Sequence, residues 1–177
     1  MENTIKKAKN MQYYFKTMPS PVGKLRLVAS DKGVAGVLWE KDDPKRVRPL
    51  PASEDKNHPM LMETERQLRQ YFDGKLKVFT VPLDPVGTPF QKKVRQELAA
   101  IPFGQTVTYG ELARKFGNPN LSRAVGGANH RNPISIIAAC HRVLGSTGGL
   151  TGYAGGLDAK ACLLSLEGDR MDKPRKK

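Results

Sequence analysis

The sequence predicts an α+β protein in two parts. A small N-terminal α/β domain with antiparallel strands precedes a mainly helical C-terminal domain containing a helix-turn-helix. Three observations predict this. Strand-like alternation over residues 23–29 passes through Asp31-Lys32-Gly33 into the apolar run Val34-Ala35-Gly36-Val37-Leu38-Trp39, the signature of a hairpin. A stripe at helical spacing follows over residues 60–72. From Thr88 onward, capping residues and glycine stops recur at short intervals, the punctuation of consecutive short helices.

In the first part, Ser20-Pro21-Val22-Gly23 leads into a strand where Leu25, Leu27 and Ala29 alternate with Lys24, Arg26 and Val28. Residues 42–56 are polar with three prolines and read as a loop. Leu61, Leu68, Tyr71 and Phe72 form the apolar side of a helix that Asp73-Gly74 ends. Val78-Phe79-Thr80-Val81 predicts a last strand, and residues 82–87 a linker. The expected domains are residues 1–85, including a basic leader, and 86–170, followed by a basic tail at 171–177.

The second part opens with Thr88 as a cap, Pro89 at the first helical position and Gln91 completing a capping box. Phe90, Val94, Leu98 and Ile101 then make an apolar stripe. A second box, Thr108-Tyr109-Gly110-Glu111, opens a short helix through Leu112, Ala113 and Phe116 that Gly117 stops. Asn118-Pro119 starts another, which carries Leu121 and Val125 inward and runs to about Arg131. Two short helices around a glycine turn make a helix-turn-helix. Gly126-Gly127 inside the second costs about 1 kcal/mol per glycine relative to alanine. Close approach of another surface would compensate, either a neighbouring helix or a DNA groove with Arg123 and Arg131 supplying charge.

Composition narrows the function. The chain has 177 residues, long enough for a real core. Its 30 Lys and Arg against 17 Asp and Glu give a net charge of +13, which favours a polyanionic partner, nucleic acid above all. The ends, Lys6-Lys7-Ala8-Lys9 and Lys173-Pro174-Arg175-Lys176-Lys177, add diffuse attraction to phosphate. No stretch approaches the ~18 apolar residues of a membrane span, and the first residues lack the apolar region of a signal peptide. Cys140 and Cys162 are the only cysteines. This excludes a disulfide framework and a four-cysteine zinc site. The expectation is a cytoplasmic protein with reduced thiols.

Cys140 and His141 close the apolar run Ile134-Ser135-Ile136-Ile137-Ala138-Ala139, which reads as a strand. A Gly-rich segment follows, Gly148 to Gly156. A thiol reacts as thiolate, and a neighbouring imidazole can take its proton. Alone, a Cys-His pair is more often simply part of a core.

Eight segments in order do more. Thr88-Pro89-Phe90-Gln91, Ile101-Pro102-Phe103-Gly104, Thr108-Tyr109-Gly110-Glu111-Leu112-Ala113, Arg123-Ala124-Val125-Gly126, Asn132-Pro133-Ile134, Cys140-His141-Arg142-Val143, Thr151-Gly152-Tyr153-Ala154-Gly155-Gly156 and Leu166-Glu167-Gly168 together resemble the O6-alkylguanine-DNA alkyltransferases. The close match spans residues 88–168.

The resemblance implies a monomer without cofactor that binds duplex DNA from the minor groove. It would flip an alkylated guanine out of the stack and take the alkyl group irreversibly onto its own cysteine, with O4-methylthymine as a further substrate. Cys140 would be the nucleophile, His141 would draw off its proton through a water, and Glu167 would orient His141. Asn132 would brace this network. Tyr109 would protonate the leaving guanine and crowd the phosphate of the flipped nucleotide. Arg123 would fill the vacated stack, with Ser122, Ala124, Gly126 and Arg131 also meeting DNA. Val143, Tyr153, Ala154 and Gly155 would line the base pocket.

The chain departs from the family at three places. Ala139 stands where proline usually precedes the cysteine. Arg95 replaces a tryptophan, and Cys162, on the apolar run Ala161-Cys162-Leu163-Leu164 and so expected to be a buried core thiol, replaces an aromatic. Some relatives bind zinc in the N-terminal domain. Here that region has no cysteine and only His58, so no metal is expected. A silent lesion-binding relative would replace the nucleophile, which Cys140 retains. Nothing specifies the dimerisation segment of a transcription factor or the oxyanion site of a cysteine hydrolase.

Overall fold

The computed structural model describes residues 12–47, 50–145 and 153–168. The basic leader, the basic tail and the Gly148–Gly152 part of the Gly-rich segment lie outside these. Strands β1 (Tyr13–Met18), β2 (Leu25–Ser30), β3 (Gly33–Trp39) and β4 (Ala52–Glu54) form a sheet of order β3-β2-β1-β4. The first three are antiparallel; β4 joins β1 in parallel. The turn into β2 is held by Gly23 N–H donating to Ser20 O at 3.1 Å. Helix α1 (Pro59–Phe72) packs on the sheet through Leu61, Leu68 and Tyr71, all fully buried. Its cap is His58, whose Nδ1 accepts from Met60 N–H at 3.2 Å while Nε2 meets Asp31 of the β2–β3 turn at 2.9 Å.

Two expectations for this half are corrected. Residues 78–81 are not a strand. The Gln67 side chain accepts from Thr80 N–H at 2.9 Å and donates to Thr80 Oγ1 at 2.8 Å, so a side chain takes the backbone group a ladder would use. The fourth strand is Ala52–Glu54, inside the presumed loop. A strand of three residues, Ala52-Ser53-Glu54, paired on one side is too short to show an alternation.

The C-terminal half contains α2 (Pro89–Ala100), α3 (Tyr109–Lys115), α4 (Ser122–His130) and α5 (Leu157–Leu166). The Thr88–Gln91 capping box is complete, with bonds of 3.1 Å in both directions. Thr108 caps α3 by accepting from Glu111 N–H at 3.1 Å. A 3-10 turn, Pro119–Leu121, leads into α4. Helices α3 and α4 pack together, and α4 packs on α2. Short parallel strands β5 (Val107–Thr108) and β6 (Val143–Leu144) join the start of α3 to the chain just after Cys140.

One continuous core runs through both halves, from Leu27 and Leu68 to Leu98, Ile134 and Leu163. The open edge of β3 is occupied by backbone from elsewhere. Val34 N–H donates to Pro82 O and Val37 N–H to Pro133 O, both at 2.8 Å. The segment leading to the cysteine is thus pinned to the N-terminal sheet.

Candidate active site and DNA-binding face

The run before Cys140 is not the expected strand. Ile134 makes an isolated bridge to Val37, and the chain then turns twice. Ile137 N–H donates to Ser135 O at 2.8 Å around Ile136, which has φ of 72°. A β-branched residue in that region is strained. Cys140 N–H donates to Ala138 O at 2.7 Å around Ala139 at φ −78° and ψ 66°, an inverse γ-turn. Cys140, His141 and Arg142 form a 3-10 turn. The apolar residues are core, and they are buried by two turns rather than by a ladder.

Asn132 organises this bend. Its Nδ2 donates to Ala138 O at 2.9 Å and Ile134 O at 3.3 Å, and its Oδ1 accepts from Ile134 N–H at 3.1 Å. Arg46, in the loop after β3, donates to His130 O at 2.8 Å and Asn132 O at 2.9 Å, while Asp42 neutralises it. The end of α4 and the start of the bend therefore share one buried cation from the N-terminal half.

His141 and Glu167 are buried together, with His141 Nε2 at 2.8 Å from Glu167 Oε2. Arg142 grips the same carboxylate at both ends, Nε to Oε1 at 2.7 Å and Nη2 to Oε2 at 2.9 Å, and its Nη1 donates to Ile101 O at 2.5 Å. Tyr71 of α1 donates to Oε2 at 2.5 Å. Burial pushes the Glu167 carboxyl up, but the bonds from His141, Arg142 and Tyr71 outweigh it and hold the pKa at about 2. Burial holds the His141 pKa below its ordinary value, aided by Arg142 and Lys160 and opposed by Glu167. Glu167 is thus ionised and accepts the proton on Nε2. That leaves Nδ1 with its lone pair, and Nδ1 is buried without a hydrogen-bond partner.

Cys140 is buried. Burial raises its thiol pKa, and Asn132, Tyr153, Arg46 and Lys160 offset this only in part. The expectation of a thiol pKa lowered by His141 and Glu167 is therefore corrected: burial dominates, and the groups that oppose it are Asn132, Tyr153, Arg46 and Lys160. The Tyr153 hydroxyl is buried beside the thiol without a well-formed hydrogen bond. Tyr153 and the partly buried Ala154 and Gly155 precede α5, and Val143 is fully buried in β6. Lys160 is fully buried and donates to Val143 O at 2.8 Å. Trp39 stands behind the Tyr153 segment, its ring 5.6 Å from that of Tyr153 and edge-on. A Cβ on Gly155 would lie 2.7 Å from the indole, so this residue must be glycine for the close approach. The indole N–H donates to Ser135 Oγ at 3.2 Å.

The predicted residues fall into two groups. Asn132 and Tyr153 face the Cys140 thiol, and the next residue, His141, pairs with Glu167. Tyr109 sits on the helix-turn-helix side, where its ring lies 3.9 Å from the Cβ position of Gly126 and its hydroxyl accepts a long bond, 3.5 Å, from Asn129. On α4, Arg123 and Ala124 are exposed, Ser122 and Gly126 are partly so, and Arg131 is exposed just beyond the helix. Gly127 has open space where its side chain would be. Gly126 thus accommodates a neighbouring ring, whereas Gly127 keeps the outer face low.

Sequence reasoning gave no role to Tyr71, Arg46 or Lys160. Tyr71 is on the apolar stripe of α1 and reads as core. Arg46 reads as loop charge, and nothing in the sequence marks Lys160. Two other placements differ from simple expectation. Cys162 is exposed on α5, not buried, because Leu163 and Leu164 take the inward positions. Arg95 is buried, its pKa lowered to about 10 by burial, and donates to Val86 O at 2.6 Å in the linker. Among the described residues no cluster of three or more His, Cys, Asp or Glu side chains suits a metal, and no helix is long and apolar enough to cross a membrane.

An exposed cationic helix-turn-helix beside a buried cysteine and a buried His-Glu pair defines the class: a DNA-binding protein with a thiol in its interior. Comparison with known proteins gives the family. Residues 13–85 match the ribonuclease-like domain, and residues 89–169 the DNA binding domain, of 6-O-methylguanine DNA methyltransferase. A methylated-DNA–protein-cysteine methyltransferase of Methanosarcina acetivorans is 50% identical over 88% of this chain and 98% of its own length. The constitutive enzyme of that name from Bacillus subtilis is 39% identical over 87% and 94%. The crystal structure of Mycobacterium tuberculosis OGT in complex with DNA aligns with a TM-score of 0.80 at 40% identity, covering 87% of this chain and 92% of the other. The chain belongs to the 6-O-methylguanine DNA methyltransferase family.

Proposed function

We propose that this protein repairs DNA by direct reversal, taking the methyl or other alkyl group of O6-alkylguanine in duplex DNA onto Cys140 in a single turnover. The buried pair His141–Glu167, with Nδ1 of His141 unclaimed, is the observation that carries this reading. Glu167 fixes the tautomer, so Nδ1 takes the thiol proton, directly or through a water. The thiolate sulfur attacks the alkyl carbon. The S–C bond forms as the C–O6 bond breaks, and the electron pair leaves with guanine. Tyr109 supplies or shares the proton that neutralises it. A thioether has no leaving group that this site can expel, so the product is final.

Because the resting thiol is neutral, deprotonation belongs to the reaction and not to the free protein. Asn132 holds the bend that presents the sulfur. Val143, Tyr153, Ala154 and Gly155 line the base pocket. Ser122, Arg123, Ala124, Gly126 and Arg131 meet DNA from the minor groove, with Arg123 occupying the vacated stack. The functional division falls between residues 85 and 86, and the protein works as a cytoplasmic monomer without metal or cofactor.

The test is intact mass after mixing with duplex DNA containing O6-methylguanine. One methyl per chain, mapped to Cys140 and absent from Cys140→Ser, is expected. Repeated turnover, or a methyl on Cys162, would reject the proposal.

A further inference from the structure

The Tyr71 hydroxyl comes from α1, 96 residues from its partner Glu167. The ring is fully buried among Phe72, Phe79 and Phe103. Phenylalanine would satisfy that packing equally. What tyrosine adds is one donor, aimed at the carboxylate oxygen that His141 uses. Oε2 therefore receives three donors, from His141, Arg142 and Tyr71, whereas Oε1 receives one. Donors on one oxygen compete for its charge. A carboxylate relieved of one of them attracts an imidazole proton more strongly.

We propose that Tyr71 is a positioning residue for alkyl transfer: it holds Glu167 in line with His141 Nε2 and moderates the carboxylate, so that His141 remains a neutral base. The inference rests on the reading of Cys140 as the alkyl acceptor. The groups facing His141 are few. Glu167 favours the imidazolium, while Arg142 and Lys160 disfavour it; Cys140 is the preceding residue in the chain. Of the donors on Glu167, the Tyr71 hydroxyl is the one contributed by the N-terminal half. Through it the N-terminal domain touches the chemistry and not only the fold.

The experiment compares wild type with Y71F. Single-turnover methyl transfer is followed from the lowest pH at which the protein stays folded up to pH 9, with His141 titrated by NMR in the free protein over the same range. Y71F is expected to raise the His141 pKa and move the acidic limb of the rate profile up by about half to one unit, since only part of a lost hydrogen bond to a charged group is passed on through Glu167. Transfer then falls several-fold on the acidic limb and is unchanged on the alkaline side. Y71M lacks the hydroxyl but packs differently, so it must give the same shift if the hydroxyl is responsible. In an E167Q background Y71F must leave the limb unmoved. A uniform slowing at every pH, or an unmoved His141 titration, would overturn the proposal. Failure of wild type to gain a methyl would reject the functional reading instead, while the NMR titration would still decide the role of Tyr71 in the network.

Discussion

The Ala139 N–H donates to the Leu98 carbonyl at 3.3 Å, tying the residue before Cys140 to α2. Leu98 O also accepts from Ile101 N–H at 3.3 Å, so it stays paired if Ala139 loses its donor. This bond decides how the chain tolerates its departure from the family's proline.

Ala139→Pro meets two opposed effects. The φ of −78° suits the pyrrolidine ring, and restricting the unfolded chain stabilises by roughly 0.4–1 kcal/mol. Losing the bond to Leu98 costs about 0.5–1.5 kcal/mol. Geometry alone favours a gain, but the bond reverses or cancels it. The net change in unfolding free energy is expected to lie within about 1 kcal/mol of zero, on the destabilising side. Transfer is expected to slow modestly, since the bond fixes the residue preceding the nucleophile. Denaturant unfolding and single-turnover assays check both. Clear stabilisation with faster transfer would show that the Leu98 bond contributes nothing.

The two cysteines should respond to a small thiol reagent in the order of exposure. Cys162 is exposed and Cys140 is 4% exposed, with its thiol pKa raised by burial. In the free protein Cys162 is modified first. Cys140 follows only as pH passes above the ordinary cysteine value of about 8.5. Peptide mapping over a pH series reads this. Early labelling of Cys140 at neutral pH would mean that the site opens and that its thiolate is stabilised in the open form.

Arg123 is exposed on α4. Arg123→Ala is therefore expected to lower transfer from duplex DNA by roughly 10-fold or more, the scale of a 1–3 kcal/mol contact. Transfer from free O6-alkylguanine base should be unaffected. Equal losses on the two substrates would place Arg123 in the fold or the pocket. Duplex affinity should weaken as salt rises, because bound phosphates release counterions.

How much of this was legible in the chain depended on the type of signal. The hairpin, α1, the Thr88 capping box and the stop at Gly117 are local, and each appears where its residues place it. The strand assigned to residues 78–81 failed because Gln67, distant in sequence, claims Thr80. The run before Cys140 failed because apolarity marks burial, not conformation. In the site, Cys140, His141 and Glu167 could be named from ordered motifs. Their protonation states could not, since these depend on how far burial outweighs hydrogen bonding. Tyr71 stayed hidden because a buried tyrosine on an apolar stripe looks the same whether its hydroxyl is structural or functional.

Trp39 is the only tryptophan in the chain. Its indole lies against Gly155 and edge-on to Tyr153, whose hydroxyl is beside the Cys140 sulfur. The emission of the native protein is therefore that of a single reporter, seated behind the wall where an alkyl group would arrive. Filling of that space can be followed as a change in intrinsic fluorescence, with no dye, no added label and no second tryptophan to subtract.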